Sequence, residues 1–263
     1  MTILQLALLF LASVVGGTMN AVAGGGTFIT VPALIVTGTP PIAANMTSTV
    51  ALWPGSIAST GAYRRELAVQ KRSTLFFLLG TSCIGGILGA ILLTRTSQAT
   101  FVVLLPYLLL LATVLFTFSP RITALLRLQT AHKAETGPSW VTLLGISLAQ
   151  FVIALYGGYF GGGIGILMLA TLAFMGMDNI HMMNGVKTLL TACINGAGII
   201  VFIFAGLIVW PLAILMVIGT VIGGYGGAYY ARKLDQRWVR WFVIIVGFSM
   251  TTYFFYRAFV LHA

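Results

Sequence analysis

The stretch MMNGVKTLLTACINGAGIIVF, residues 182–202, places Asn184, Lys187, Thr188, Thr191 and Asn195 inside an otherwise apolar run. Their spacing follows i, i+3, i+4, i+7 and i+11, which gathers all five on one face of a helix. Amides, hydroxyls and one fixed cation on a single stripe suit a small oxyanion: the ammonium supplies charge and the neutral groups supply directed hydrogen bonds. An earlier stretch, NMTSTVALWPGSIASTGAY from Asn45, repeats the stripe with neutral groups, in Asn45, Ser48, Thr49, Ser56 and Ser59. Two glycine triplets, Gly24-Gly25-Gly26 and Gly161-Gly162-Gly163, each precede a short apolar run. A helix that opens on such a triplet leaves its first N–H groups unpaired, with the positive end of its dipole outward. Glycine lets a ligand approach that backbone, so one triplet from each half would make a two-sided anion cradle.

Each of these features also admits a plainer role. Lys187 would snorkel to an interface if Asn184 marks a helix start. The serines, threonines and asparagines would glue helices together, and the triplets would be packing contacts. Trp53-Pro54 reads as a kink with an aromatic packed beside it. Asp178 and His181 fall at a turn and read as helix caps.

The elements that must position these residues are membrane helices. Hydrophobic residues make up 59% of 263 and charged ones 7%, a balance that only a lipid-facing surface tolerates. Apolar runs near the length needed to cross a bilayer cover Ile3–Met19, Leu75–Leu93, Phe101–Phe118, Val141–Tyr156, Leu212–Tyr230 and Trp241–Phe259. The first has no basic leader region and sits among similar segments, so it is expected to be retained. The net charge of +10 comes from 14 Lys and Arg against 4 Asp and Glu. Its positives cluster in short loops, the topogenic pattern of basic cytoplasmic loops beside anionic lipid, which excludes nucleic acid as a partner. Cys83 and Cys193 lie in separate apolar segments and read as packing residues. With three histidines and no H-E-x-x-H, no metal, cofactor or catalytic group is expected.

The chain also repeats itself. The triplets, the stretches from Asn45 and Asn184, and Gly85-Gly86-x-x-Gly89-Ala90 against Gly223-Gly224-x-x-Gly227-Ala228 recur in the same order at a nearly constant offset. In the first half the basic loop RRELAVQKR (64–72) precedes the Gly-Gly-x-x-Gly helix; in the second, RKLDQRWVR (232–240) follows it. By the positive-inside rule the halves run in opposite orientations. The reading is an all-α integral membrane protein of two inverted-topology repeats, 1–118 and 140–263. A basic cytoplasmic linker, 119–139, joins them. Eight to ten membrane segments are expected, with Thr27–Val36 and Ile164–Met175 short enough to be broken or re-entrant. Paired interruptions of that kind mark the midplane binding site of secondary transporters. Glu66, Glu135, Asp178 and Asp235 are the only carboxylates and lie in loops or at segment ends, so a relay built on buried acids is not supported.

GGTMNAVAGGGTFITVPALIVTGTPPIAANMTSTVAL resembles the opening signature of the TauE/SafE (TSUP) sulfite-exporter family. HMMNGVKTLLTACINGAGIIVF is similar to a second-half variant of it, and the likeness covers essentially the whole chain. The resemblance implies a multi-pass carrier of the bacterial inner membrane for sulfite, thiosulfate or a small sulfonate. Carried over by motif, the site comprises both glycine triplets, Asn45, Thr47, Ser48, Thr49, Asn184, Lys187 and Thr188, with Asn195 further along the stripe. Lys187 departs from the hydroxyl-rich pattern of many members, which leaves the choice of anion open. The expected mechanism is alternating access by rocking of one half against the other around Lys187. A passive anion channel and a non-transporting membrane scaffold use the same inventory. A homodimer is compatible with the architecture, although no stretch reports an interface.

Overall fold

In the computed structural model the described residues are 1–130, 140–175, 177, 179–230 and 236–259. All regular structure among them is helical. The first half holds α1 (Ile3–Ala23), α2 (Thr27–Val36), α3 (Pro41–Ala62), a single turn and a half α4 (Arg64–Ala68), α5 (Arg72–Arg95) and α6 (Gln98–Thr130). The second holds α7 (Trp140–Tyr159), α8 (Ile164–Phe174), α9 (Ile180–Ala205), α10 (Trp210–Tyr230) and α11 (Gln236–Phe259). Helix α6 continues beyond Phe118 into the basic segment, so the linker begins as helix. Its remainder, with Glu135, lies outside the described residues, as do Asp178 and Asp235.

Local chemistry sets the ends. Thr2 and Gln5 close a reciprocal capping box on α1, and the Asn179 side chain accepts from the backbone N–H groups of His181 and Met182 to start α9. Among the described residues four helices are long and apolar enough to cross a membrane: Ile3–Ala21, Arg72–Arg95, Gln98–Phe118 and His181–Ala205. Helix α3 has a crossing's length, but its polar stripe lowers its hydropathy. At 10 residues α2 spans only about 15 Å, and α8 is one residue longer. Large apolar side chains cover the outside, Phe204 at 86% exposure and Phe76 at 74% among them. This is the surface of a multi-pass membrane protein.

The packing pairs helices across the halves. The largest interfaces are α1 with α10 and α5 with α7, followed by α10 with α3 and α5 with α9. Matched by the glycine landmarks, α1 corresponds to α7 and α10 to α5, so each pair maps onto the other. Glycine explains the closeness. A Cβ at Gly223 would strike the Val14 carbonyl, and one at Gly89 would strike the Leu155 carbonyl. Neither half therefore packs by itself. One unit gathers α1, α2, α3 and α10; the other gathers α5, α7, α8 and α9. Helices α3 and α9 cross between the units, while α6 and α11 pack on each other and reach α8 and α2. At the crossing the Trp53 indole donates to the Ala192 carbonyl at 2.9 Å, and its ring lies on Gly196. Cys83 of α5 and Cys193 of α9 are free thiols whose sulfurs lie 2.8 Å apart, a proximity that separate apolar segments did not suggest.

Candidate functional site

A polar cavity opens beside that crossing, lined by Asn20, Gly24, Ser56, Ser59, Lys187, Thr188 and Thr191. The C-terminal end of α1, the C-terminal half of α3 and the N-terminal half of α9 form its walls. All three lie toward the end of the bundle where α4 packs Tyr63, Glu66 and Leu67 over Gly185. The cavity's volume, mouth included, is about 210 Å³, and it narrows inside to room for roughly one water.

Lys187 is 1% exposed, and its Nζ has no hydrogen-bond partner among the described residues. An ammonium carries three donors and no acceptor, and leaving it unmatched inside a helix bundle costs several kcal/mol, on the order of 2.5–3.5 on insertion scales. The sequence shows why its own repeat offers no partner. The equivalent position in the first half is Ser48, whose hydroxyl lies 2.6 Å from that of Thr30. The counterpart of Thr30 is Leu167, which has nothing to give a lysine.

The other walls hold their protons in reserve. Ser56 donates to the Leu52 carbonyl at 3.1 Å, and Ser59 to that of Gly55 at 2.9 Å. Thr188 faces the Asn184 and Gly185 carbonyls, and Thr191 the Met168 sulfur. The Asn20 amide donates to Ser56 at 2.9 Å. Hydroxyls turned back on their own helix can rotate toward a ligand at little cost. A cation in a narrow pocket ringed by rotatable donors is chemistry for a small anion. It is poor chemistry for a metal, and no cluster of metal-ligating side chains occurs among the described residues.

Of the residues expected at the site, the structure brings Lys187, Thr188 and Gly24 to the cavity. The rest sit elsewhere. Asn195 is buried further along α9, and Asn184 lies one turn before Lys187 with its Oδ1 buried and unpartnered. The Asn45 amide donates to the Tyr159 carbonyl at 2.9 Å, Thr49 back-bonds to the Asn45 carbonyl, and Thr47 accepts from the Val209 N–H at 3.0 Å. Of the two triplets only Gly24 lines the cavity. Gly24, at φ 74°, closes α1 by donating to the Met19 and Asn20 carbonyls, so its N–H is already bound. A Cβ on Gly26 would meet the Gly16 carbonyl and the Leu52 side chain, and Gly25 lies on the Phe28 ring. Gly161 has φ 80°; Gly163 packs on Ala112 of α6, and the Gly162 carbonyl accepts from the Tyr156 hydroxyl at 2.9 Å. Asn20 is the lining residue that the stripes did not reveal. Its signal was a lone amide near the end of an apolar helix, four residues before a glycine triplet.

Long apolar helices packed around a polar cavity that holds an unpaired lysine are the architecture of a polytopic membrane protein, and the family match makes it a membrane transporter. The chain belongs to the TauE/SafE family: the model for "Sulfite exporter TauE/SafE" matches residues 9–254. A probable membrane transporter protein of Haemophilus influenzae is 30% identical over 247 residues, 94% of this chain and 92% of that protein. A Sinorhizobium counterpart, the probable membrane transporter protein ORF9, is 30% identical over 93% of this chain and 90% of its own. The probable membrane transporter protein YfcA of Escherichia coli is 25% identical over 96% of this chain and 90% of its own. No solved structure matches the chain.

Proposed function

We propose that this transporter carries a small sulfur oxyanion, of the sulfite, thiosulfate or sulfonate class, out of the bacterial cell across the inner membrane. Lys187 is the charge that holds the anion, and Asn20, Ser56, Ser59, Thr188 and Thr191 are the groups that turn toward it. The observation that carries the proposal is the buried Nζ of Lys187, without a partner among the described residues and on the wall of the polar cavity. The family's description as sulfite exporters supports the choice of anion. Glu66, the only carboxylate among the described residues, packs over Gly185, two residues from Lys187 and so nearly opposite it around α9. Export in this reading uses no relay of buried acids. An inside-negative potential favours anion exit by about 2.3 kcal/mol per charge per 100 mV.

The narrow cavity, ending beside the Trp53 contact of α3 with α9, favours a carrier over a channel, because a channel needs a continuous wet path. Flux of radiolabelled thiosulfate and of a sulfonate from proteoliposomes tests the proposal. Saturable flux that a competing anion slows, and that Lys187→Ala abolishes, is expected. Unsaturable flux with unitary currents would establish a channel. Undiminished flux in Lys187→Ala would remove the lysine from the site.

A further inference from the structure

The cavity lies on one side of the α3–α9 crossing, and the repeat gives its lining residues counterparts on the other side. Aligned on Asn45 and Asn184, Lys187, Thr188 and Thr191 of α9 correspond to Ser48, Thr49 and Leu52 of α3. Ser56 and Ser59 of α3 correspond to Asn195 and Gly198 of α9. Trp53 corresponds to Ala192, the residue whose carbonyl it binds. Equivalent positions meet where two equivalent helices cross on a pseudo-two-fold axis, so Trp53 marks that axis. Beyond it, Ser48, Leu52 and Asn195 are all buried, Ser48 is paired with Thr30, and the Asn45 amide ties α3 to the Tyr159 carbonyl of α7. The cavity side adjoins α4 and the basic loop 64–72, which the positive-inside rule places in the cytoplasm.

We infer that a second half-pathway, closed in this structure, runs outward from Lys187 between α3 and α9, lined by Ser48, Thr49, Asn195 and Gly198. It opens when the swapped units, α1–α3 with α10 and α7–α9 with α5, turn about the Trp53 crossing. This rests on the carrier reading. The units that move are not the sequence halves, because separating those would break the α1–α10 and α5–α7 interfaces, the tightest in the molecule. Two hydrogen bonds that join the units, Trp53 to Ala192 and Asn45 to Tyr159, lie at or outward of the crossing. They hold the outward path shut while the cytoplasmic cavity stands open. The outward path is neutral where the inward path carries Lys187, so an anion that leaves the lysine meets no second fixed charge among these residues on its way out.

The test uses the full-length protein with Cys83 and Cys193 replaced by serine, in oriented vesicles, and a membrane-impermeant charged maleimide. Thr49→Cys and Asn195→Cys are expected to react from the external face only, and Ser59→Cys from the cytoplasmic face only. Adding Trp53→Phe removes one tie, and should raise external labelling several-fold while lowering labelling of Ser59→Cys. Thr49→Cys and Asn195→Cys both inert from outside, or both rates moving the same way with Trp53→Phe, would overturn the inference. Labelling reads the conformational exchange whichever anion is carried. A silent flux assay would thus count against the proposed substrate alone.

Discussion

Lys187 is a charge that the fold has set aside. An unpaired ammonium inside a bundle destabilises it, and an apolar isostere of similar length removes that cost. Lys187→Met is therefore expected to raise the melting temperature of the anion-free protein while it abolishes anion flux. A fall in melting temperature would mean that the lysine has a structural partner. The neutral wall should behave differently: Asn20→Ala or Ser56→Ala removes one hydrogen bond, worth about 0.5–1.5 kcal/mol. Each should weaken anion binding by about two- to tenfold in a titration, with Lys187 still in place. At this scale the sequence was half legible. The α9 stripe is readable because helical periodicity alone puts Lys187, Thr188 and Thr191 on one face, and they meet one cavity. Asn20 was not, because its role depends on Ser56, 36 positions away on another helix.

Elements explain what happened to the triplets. A glycine run between helices reads equally well as the end of one or the start of the next, and only backbone dihedrals decide. The left-handed Gly24 closes α1 and Gly163 precedes α8, so these two glycines hold the breaks, and the Gly24 N–H is bound to the helix that it ends. The glycine pairs in α5 and α10 were plainer, since close backbone approach needs no side chain. Gly89→Ala should be strongly destabilising, because its Cβ would enter the Leu155 carbonyl of α7. Gly80→Ala, in the same helix but with open space around it, should be neutral or slightly stabilising. Thermal melting of the two variants in detergent checks the contrast. Equal melting points would deny the glycine-mediated α5–α7 contact.

At the scale of the whole molecule the repeat was legible as recurring landmarks, but the interleaving was not. Periodicity reports which face of a helix is apolar and says nothing about which neighbour covers it, so the exchange of α10 and α5 between halves had no local signature. Cys83 and Cys193 offer a native probe of that exchange. Both belong to the unit of α5 and α7–α9, and copper-phenanthroline oxidation, with oxygen taking the electrons, should join them without stopping transport. Arrest of flux on cross-linking would place α5 and α9 in separate moving parts. The central claim, that Lys187 holds an anion, is met most directly by the melting temperature of the purified protein against sulfite, thiosulfate, a sulfonate and chloride. Lys187→Ala is run beside it. A ligand that binds only the folded state must raise that temperature in proportion to the logarithm of its concentration once binding saturates. The account predicts a concentration-dependent rise with a sulfur oxyanion in the wild type and none in Lys187→Ala; an equal rise in both, or no rise with any anion, would contradict it.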